Sequence, residues 1–200
     1  MPELIAPLLV SYLVGSIPTA YVLVKWLKRV DVRTVGSGNV EATNVTRVAG
    51  MKAGAVVFLL DVAKGLVAVR LLAPWLLSEL TPTRQLACGL AAVLGHLFPV
   101  FLAFRGGKGV ATTIGVLIGT MPLVAGVSLV VWAVGFLMWR IVSVGSLAAA
   151  VVIPLTQLAT HQGLPEVLLG TTIAVLILIR HRANLERLLK GSEHRVGASR

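Results

Sequence analysis

The chain has 200 residues, of which 56% are hydrophobic and 13% are charged, and it carries a formal net charge of +10 at pH 7. This composition excludes an ordinary water-soluble globule and indicates a protein with several membrane-spanning helices. Since the cations fall mainly between the apolar stretches, the positive-inside tendency explains the net charge, and we expect no nucleic-acid partner.

Seven apolar segments are candidates for transmembrane helices, because a bilayer core of about 30 Å needs about 20 apolar residues per helix. The segments are residues 4–24, 53–77, 85–104, 109–120, 123–139, 141–160 and 165–179. We predict that the uncharged run 109–139 turns near Pro122 into two short helices, because two crossings keep Arg140 and the basic C-terminus beside the other cations. The sequence therefore predicts an all-α integral membrane protein with seven transmembrane helices, the N-terminus outside and the C-terminus cytoplasmic. No internal repeat is evident, so residues 1–200 are expected to form one domain.

The loop after the first predicted span reads VDVRTVGSGNVEATNVTRVAG, residues 30–50. Glycines in its Gly-Ser-Gly-Asn turn accept positive φ and let backbone N–H groups point at one ligand. Asn44 and Arg47 add an amide and a guanidinium, so the loop has the donors to bind an anion. A solvated connector explains the same residues, and the loop alone does not decide between the two interpretations.

Two opposite charges, Asp61 and Lys64, lie three residues apart inside the second predicted span. Charges at membrane depth usually pair, so we interpret these two as a structural pair that neutralises itself. The alternative is the coupling pair of a phosphate or organophosphate transporter, a class that also aims short helices at an anion. The lack of an inverted repeat and the collection of polar motifs on one predicted face favour the structural pair.

A second donor-rich stretch, FRGGKGVATT at residues 104–113, opens on the same predicted face of the membrane. Its glycines permit close approach of the backbone, Lys108 supplies a charge, and the helix that begins near Gly109 presents unpaired N–H groups. The spacing differs from that of a P-loop, so no nucleotide site is predicted. The stretch fits either a phosphate site or a plain charged turn.

The C-terminal stretch IRHRANLERLLKGSEHRVG, residues 179–197, has leucines at helical spacing among cations, which is typical of an interfacial amphipathic helix. His181 and Asn184 are three residues apart and are therefore neighbours on one helical face at the predicted membrane boundary. Because the chain has one cysteine, Cys88, and four histidines without HExxH spacing, neither a disulfide framework nor a metal site is predicted.

The chain resembles the bacterial acyl-phosphate:glycerol-3-phosphate acyltransferase family in four successive stretches, GSIPTAYVLVKW, GSGNVEATNVTR, LGHLFPVFLAFRGGKGVATTIG and HRANLERLLKGSEHR. The resemblance covers nearly the whole chain. It implies transfer of a fatty acyl group from acyl phosphate to the 1-hydroxyl of glycerol 3-phosphate, which yields lysophosphatidic acid and phosphate. It also implies seven helices in the bacterial cytoplasmic (inner) membrane, an active site open to the cytoplasm, and no metal or organic cofactor. We further expect a monomer.

The resemblance also assigns residues to the site. Those that it implies for catalysis are Arg47, Lys108, His181 and Asn184. Those that it implies for binding the substrate phosphates are Ser37, Gly38, Asn39, Asn44, Arg47, Gly106, Gly107, Lys108, Ser143 and His181, and Ser146 stands where the family keeps another hydroxyl. One departure is Glu41, at a position where the family usually has glycine. Because a carboxylate would repel the phosphates, we expect Glu41 to point away or to pair with a cation such as Arg47.

The sequence contains no evident Ser–His–Asp or Cys–His constellation that would form an acyl-enzyme. We therefore expect direct attack of the glycerol hydroxyl on the acyl phosphate. The proton acceptor is either His181 or the departing phosphate, whose second pKa lies near 6. A membrane transporter of phosphate or organophosphate is the alternative function.

Overall fold

A computed structural model of the chain describes residues 2–197, and every regular element in that range is helical. The all-α class predicted from the sequence is therefore confirmed. The chain divides into two compact units, Met1–Thr120 and Met121–Arg200, and the boundary falls at the turn predicted near Pro122. The single domain of residues 1–200 stays a prediction.

The first unit contains helices that pack closely through small residues. They are α1 (Pro2–Ser16), α2 (Thr19–Lys28), α3 (Ala42–Ala49), α4 (Met51–Val67), α5 (Ala73–Leu76), α6 (Pro82–Leu97) and α7 (Val110–Thr120), with 3₁₀ turns at Val32–Thr34 and Val100–Leu102 and a π-helical turn at Ala68–Leu72. α1 packs against α6, and α4 packs against α7. A Cβ at Gly15 would clash with the carbonyl of Ala92, and one at Gly115 would clash with the carbonyl of Val62. The backbones thus approach closely, as is usual between membrane helices.

The second unit is formed by α8 (Pro122–Trp139), α9 (Val142–Ala159), α10 (Leu164–Arg180) and α11 (Arg182–Leu189). α9 packs against both α8 and α10. α8 ends at Trp139 and is capped by Arg140, whose φ of 56° lies in the left-handed region. The segment after α11 returns to this turn, where the N–H of Val196 donates to the carbonyl of Arg140 at 2.7 Å. The C-terminal segment is therefore attached to the turn that precedes α9.

Four helices of the described residues are long and apolar enough to cross a membrane, namely Glu3–Lys28, Pro82–Leu102, Pro122–Trp139 and Val142–Ala159. A fifth results if α10 and α11, which meet at a bend of 55°, count as one span. α7 is apolar but has only 11 residues. The predicted span 53–77 is helical from Met51 to Leu76 with a π-helical turn inside it. It is not among these four helices, and it contains three charged residues, Asp61, Lys64 and Arg70. The seven spans and the sides of the two termini stay predictions.

The turn between α7 and α8 was predicted correctly, but the prediction that both helices are short is wrong for α8, which has 18 residues. α7 ends at Thr120, and Pro122 is the first residue of α8. Proline suits that position because the first residue of a helix needs no N–H donor and because the ring fixes φ near the helical value.

Candidate active site

The loop between α2 and α3 is organised around the buried side chain of Asn44. Its carboxamide oxygen accepts from the N–H of Ser37 at 2.8 Å. Its nitrogen donates to three backbone carbonyls at 3.0–3.2 Å, those of Val32, Val35 and Asn39. Gly36, with φ of +62°, lies so close to this amide that a Cβ would clash with it. Asn44 was predicted as a donor to substrate, but its amide is used to shape the turn, because a buried amide must satisfy both its oxygen and its nitrogen.

The glycine loop, residues 104–109, packs onto the C-terminal end of α6. The N–H of Gly106 donates to the carbonyl of Leu97 at 3.2 Å, and the N–H of Gly107 donates to the carbonyl of His96 at 3.1 Å. The resemblance assigns Gly106 and Gly107 to phosphate binding. In the structure their N–H groups donate to carbonyls at the end of α6 that have no partner within the helix. A Cβ at Gly107 would also clash with the His96 ring, so the glycines serve close packing.

Lys108 lies in this loop with its side chain 12% exposed, and its ammonium faces a carboxylate. Nζ of Lys108 is 3.4 Å from Oε2 of Glu41, whose side chain is 19% exposed. The expectation that Glu41 pairs with a cation is confirmed, but the partner is Lys108. Arg47, which was named as an example, is exposed on α3. The first unit thus brings together a predicted site residue, Lys108, and a residue that departs from the family pattern, Glu41.

A buried ion pair lies next to the glycine loop. Nζ of Lys64 is 2.7 Å from Oδ1 of Asp61, and the two side chains are 6% and 2% exposed. The hydroxyl of Thr19 donates to the same oxygen at 2.6 Å, and His96 Nδ1 is 3.7 Å from it. The pairing inferred from the sequence is therefore confirmed. The residues that line a small cavity here include Ser16, Thr19, Lys64, His96, Gly106 and Gly107, so the cluster borders the loop directly.

In the second unit, the carboxylate of Glu193 binds three donors. Oε1 accepts from the hydroxyl of Ser143 at 2.8 Å and from the amide nitrogen of Asn184 at 2.5 Å, while Oε2 accepts from Nε of Arg187 at 2.5 Å. Burial by itself raises the pKa of Glu193, but the hydrogen bonds from Asn184, Arg187 and Ser143 outweigh it and hold the pKa below its usual value of 4.5. Two predicted site residues, Ser143 and Asn184, are thus brought together by a carboxylate.

His181 connects α10 to α11 and is buried. Its Nδ1 lies 2.8 Å from the carbonyl oxygen of Ile177. Because a carbonyl only accepts, Nδ1 carries a proton, and in the neutral ring Nε2 is then the nitrogen with the lone pair. This tautomer suits both predicted roles, since Nε2 can accept a proton when the ring is neutral and donate to phosphate when it is charged.

The hydroxyl of Ser146 is used within the second unit. It accepts from the indole N–H of Trp132 at 3.3 Å and donates to the carbonyl of Val142 at 3.0 Å. Ser146 therefore ties α8 to α9, which is a structural role.

Sequence reasoning missed His96 and Glu193 as residues that hold the candidate site. Both lie inside stretches that carry the family resemblance, LGHLFP and KGSEHR, so the resemblance indicated the stretches but not these two residues. No spacing rule, however, links Glu193 to Ser143, which lies 50 residues earlier in the chain.

Residues 5–191 match the family model for glycerol-3-phosphate acyltransferase. The chain is 48% identical over 190 residues to a glycerol-3-phosphate acyltransferase of Myxococcus xanthus, with 95% of this chain and 98% of that one covered. It is 42% identical over 195 residues to a glycerol-3-phosphate acyltransferase of Prochlorococcus marinus, with 96% and 94% covered.

Two solved structures are similar to the chain over nearly its full length. Both are crystal structures of PlsY, an integral membrane glycerol 3-phosphate acyltransferase. The glycerol 3-phosphate form has a TM-score of 0.90 and 42% identity, and it covers 97% of this chain and 96% of that one. The lysophosphatidic acid form has a TM-score of 0.87 and 39% identity, with 97% and 95% covered.

Proposed function

The chain belongs to the glycerol-3-phosphate acyltransferase family, and from this premise we propose that it transfers a fatty acyl group from acyl phosphate to the 1-hydroxyl of glycerol 3-phosphate. The products are lysophosphatidic acid and phosphate, so the reaction is a step of phospholipid biosynthesis. The acceptor and the lipid product are supported by the two forms of PlsY that the chain resembles. The donor is our inference from the resemblance of the sequence motifs.

The observation that carries the proposal is the Lys108 ammonium, which sits in a glycine loop fixed to α6 and which already faces an anion at 3.4 Å. A cation in this position can hold a substrate phosphate, since charge-assisted hydrogen bonds to phosphate are among the stronger polar contacts. Arg47, exposed on α3, supplies a second cation in the same unit. Ser37, Gly38 and Asn39 form the turn that Asn44 shapes, and we propose that their outward polar groups also contact phosphate.

We propose roles in the reaction for His181 and Asn184 as well. The resemblance implies them, and within the second unit the fixed tautomer of His181 and the hydrogen bond of Asn184 to Glu193 give both side chains defined orientations. Ser143 shares the same carboxylate with Asn184. Defined orientation is the property that a residue contacting a reacting group requires.

The chemistry is a direct displacement at the acyl carbon. The 1-hydroxyl oxygen of glycerol 3-phosphate attacks the carbonyl carbon of acyl phosphate, a new ester C–O bond forms, and the C–O bond to the phosphate breaks. The hydroxyl proton passes to His181 or to the departing phosphate. Both substrates are anions that repel each other, so the main tasks of the cations are to hold them together and to stabilise the charge that develops in the transition state.

An assay of the purified protein with three donors tests the proposal. Glycerol 3-phosphate is combined in turn with acyl phosphate, acyl-CoA and acyl carrier protein, and formation of lysophosphatidic acid is measured. We expect turnover with acyl phosphate alone. Turnover with acyl-CoA instead would overturn the donor, and no turnover with any donor, together with uptake of organophosphate into proteoliposomes, would favour the transporter.

We further propose that the protein acts as a monomer in the cytoplasmic membrane, without metal or organic cofactor, and with its site facing the cytoplasm. Accessibility labelling tests the orientation after Cys88, which is buried, has been replaced by alanine. A cysteine at Ser192 should react only from the inside, and one at Gln162 should react only from the outside; both positions are exposed. Labelling of both from one side would reduce the number of spans by one.

A further inference from the structure

Glu41 has no part in the proposed reaction, yet its carboxylate is held against the ammonium of Lys108. Neither side chain is on the open surface, since the two are 19% and 12% exposed. Glu41 stands at the position before α3 where a polar side chain often caps the helix, but its side chain makes no capping hydrogen bond. The carboxylate is therefore directed away from its own helix and towards the glycine loop.

Both sides of this contact are fixed by the backbone. On one side, the carbonyl of Glu41 accepts from the N–H of Val45 at 3.0 Å, and the buried amide of Asn44 holds the preceding turn. On the other side, Gly107 leaves room for the glutamate, because a Cβ there would stand only 3.1 Å from Cγ of Glu41. The backbones of the two segments therefore bring Glu41 close to the glycine loop that carries Lys108.

The contact is nevertheless one that a phosphate can replace. The separation of 3.4 Å between Nζ and Oε2 exceeds the roughly 2.7–2.9 Å of a charge-assisted hydrogen bond. A carboxylate carries one negative charge, whereas a phosphate group carries close to two near neutral pH and has three accepting oxygens. A phosphate that reaches Lys108 therefore offers the ammonium a stronger partner than Glu41 does.

We infer that Glu41 is an internal competitor for Lys108. It holds the ammonium until a substrate phosphate displaces it, and it takes the ammonium back when the product phosphate leaves. Glu41 thereby lowers the affinity of the site for every phosphate that must bind or depart, which makes it an affinity-determining residue and not a catalytic one. The inference rests on the proposed role of Lys108 as a phosphate-binding cation.

The test replaces Glu41→Gln and measures the Michaelis constant for glycerol 3-phosphate together with the inhibition constant of inorganic phosphate. Without the competing charge, Lys108 is left uncompensated, and we expect both constants to fall by about five- to twentyfold, a range centred on the tenfold change of a modest ionic contact. The gain should appear in the Michaelis constant and not in kcat. If Glu41→Gln does not fold, Glu41→Gly serves, because glycine is accepted at the position before a helix.

Two further variants separate the possible outcomes. Glu186→Gln removes an exposed carboxylate from α11 and controls for the change in net charge; it should leave both constants unaltered. Glu41→Gln combined with Lys108→Met should bind inorganic phosphate no better than Lys108→Met alone. If the gain persists without Lys108, general repulsion explains it and the competitor role is overturned. If Glu41→Gln raises the Michaelis constant, Glu41 positions Lys108 and the inference is also wrong.

The same measurements distinguish this inference from the proposed function. If Lys108→Met by itself leaves both constants unchanged, the role of Lys108 in the proposed function fails, and the inference fails with it. If Lys108→Met weakens phosphate binding while Glu41→Gln has no effect, the proposed function stands and only the competitor is rejected.

Discussion

The glycine loop of the first unit and the C-terminal segment of the second each hold a glutamate against groups that the family resemblance assigns to the substrates. In the first, Glu41 makes a single contact of 3.4 Å with Lys108. In the second, Glu193 accepts three hydrogen bonds of 2.5–2.8 Å, its side chain is 7% exposed, and its pKa is held below the usual value. Because Glu41 makes one long contact, we expect that a phosphate can displace it. Because Glu193 makes three short hydrogen bonds, we expect that it stabilises the fold.

This comparison matters because a carboxylate near a phosphate site has two opposite uses. A weakly held one competes with the substrate, and its removal should tighten binding. A strongly held one organises the donors around it, and its removal should disorder them. The predictions below address these two regions, from the largest expected effect to the smallest.

Lys108→Met should have the largest effect, because it keeps a long side chain but removes the charge that faces Glu41. We expect activity to fall by at least about a hundredfold, since a partly buried substrate charge would be left uncompensated. Turnover in detergent, normalised to folded protein, measures the loss. Arg105→Gln is the matched control, because Arg105 is an exposed cation three residues earlier in the same loop. Equally small losses in both variants would mean that the loop is only a charged turn.

Glu193→Gln should destabilise the second unit, because a neutral amide cannot accept from three donors as a carboxylate does. We expect the free energy of unfolding to fall by about 2–3 kcal/mol, with only a small share from Arg187, which is 42% exposed and therefore screened by solvent. For a chain of this length, about 1 kcal/mol corresponds to roughly 2–4 °C in the thermal midpoint. Glu186→Gln should leave the midpoint unchanged. If Glu193→Gln unfolds at the same temperature as the unmodified protein, Glu193 does not stabilise the fold and the contrast with Glu41 is wrong.

His181→Ala tests the buried histidine of the second unit, whose ring is oriented by the carbonyl of Ile177 on α10. We expect that His181 chiefly holds a substrate phosphate, because the departing phosphate lies beside the reacting hydroxyl and can itself accept the proton. In that case the Michaelis constant should rise by about tenfold. If His181 is the general base, kcat at saturating substrate should instead drop by about 10²–10⁴-fold. Separate measurement of kcat and KM decides between the two roles.

The pH dependence of stability should also reflect Glu193. Because its folded-state pKa lies below the usual value of 4.5, the charged form stabilises the fold above pH 4.5, and this contribution is lost as the pH falls through the folded-state pKa. We expect the thermal midpoint to stay level from about pH 7 to about pH 5 and then to decline. Glu193→Gln should show a shallower decline, and identical slopes in both proteins would contradict this assignment.

Local sequence patterns were sufficient for the helical class, for one helix boundary and for the pairing of neighbours, but not for α3, which lies inside the predicted loop 30–50. Apolar length gave the all-α class, the position of Pro122 gave the break between α7 and α8, and the spacing of Asp61 and Lys64 gave their ion pair. These features depend on residues that are close in sequence, because helical periodicity fixes which of them share a face. The resemblance of four motifs then identified the family, which the comparisons confirm.

Only the tertiary structure decided how the polar groups of the candidate site are used. In the structure the amide of Asn44 bonds within the turn, and the N–H groups of Gly106 and Gly107 donate to carbonyls of α6. Glu41 pairs with Lys108. Glu193 likewise bonds to a serine 50 residues away. Such contacts depend on the paths of loops and on which buried donors still lack an acceptor after the helices have packed. No periodicity in the sequence encodes these contacts, since a buried polar group can bond only with a partner that the whole fold brings within reach.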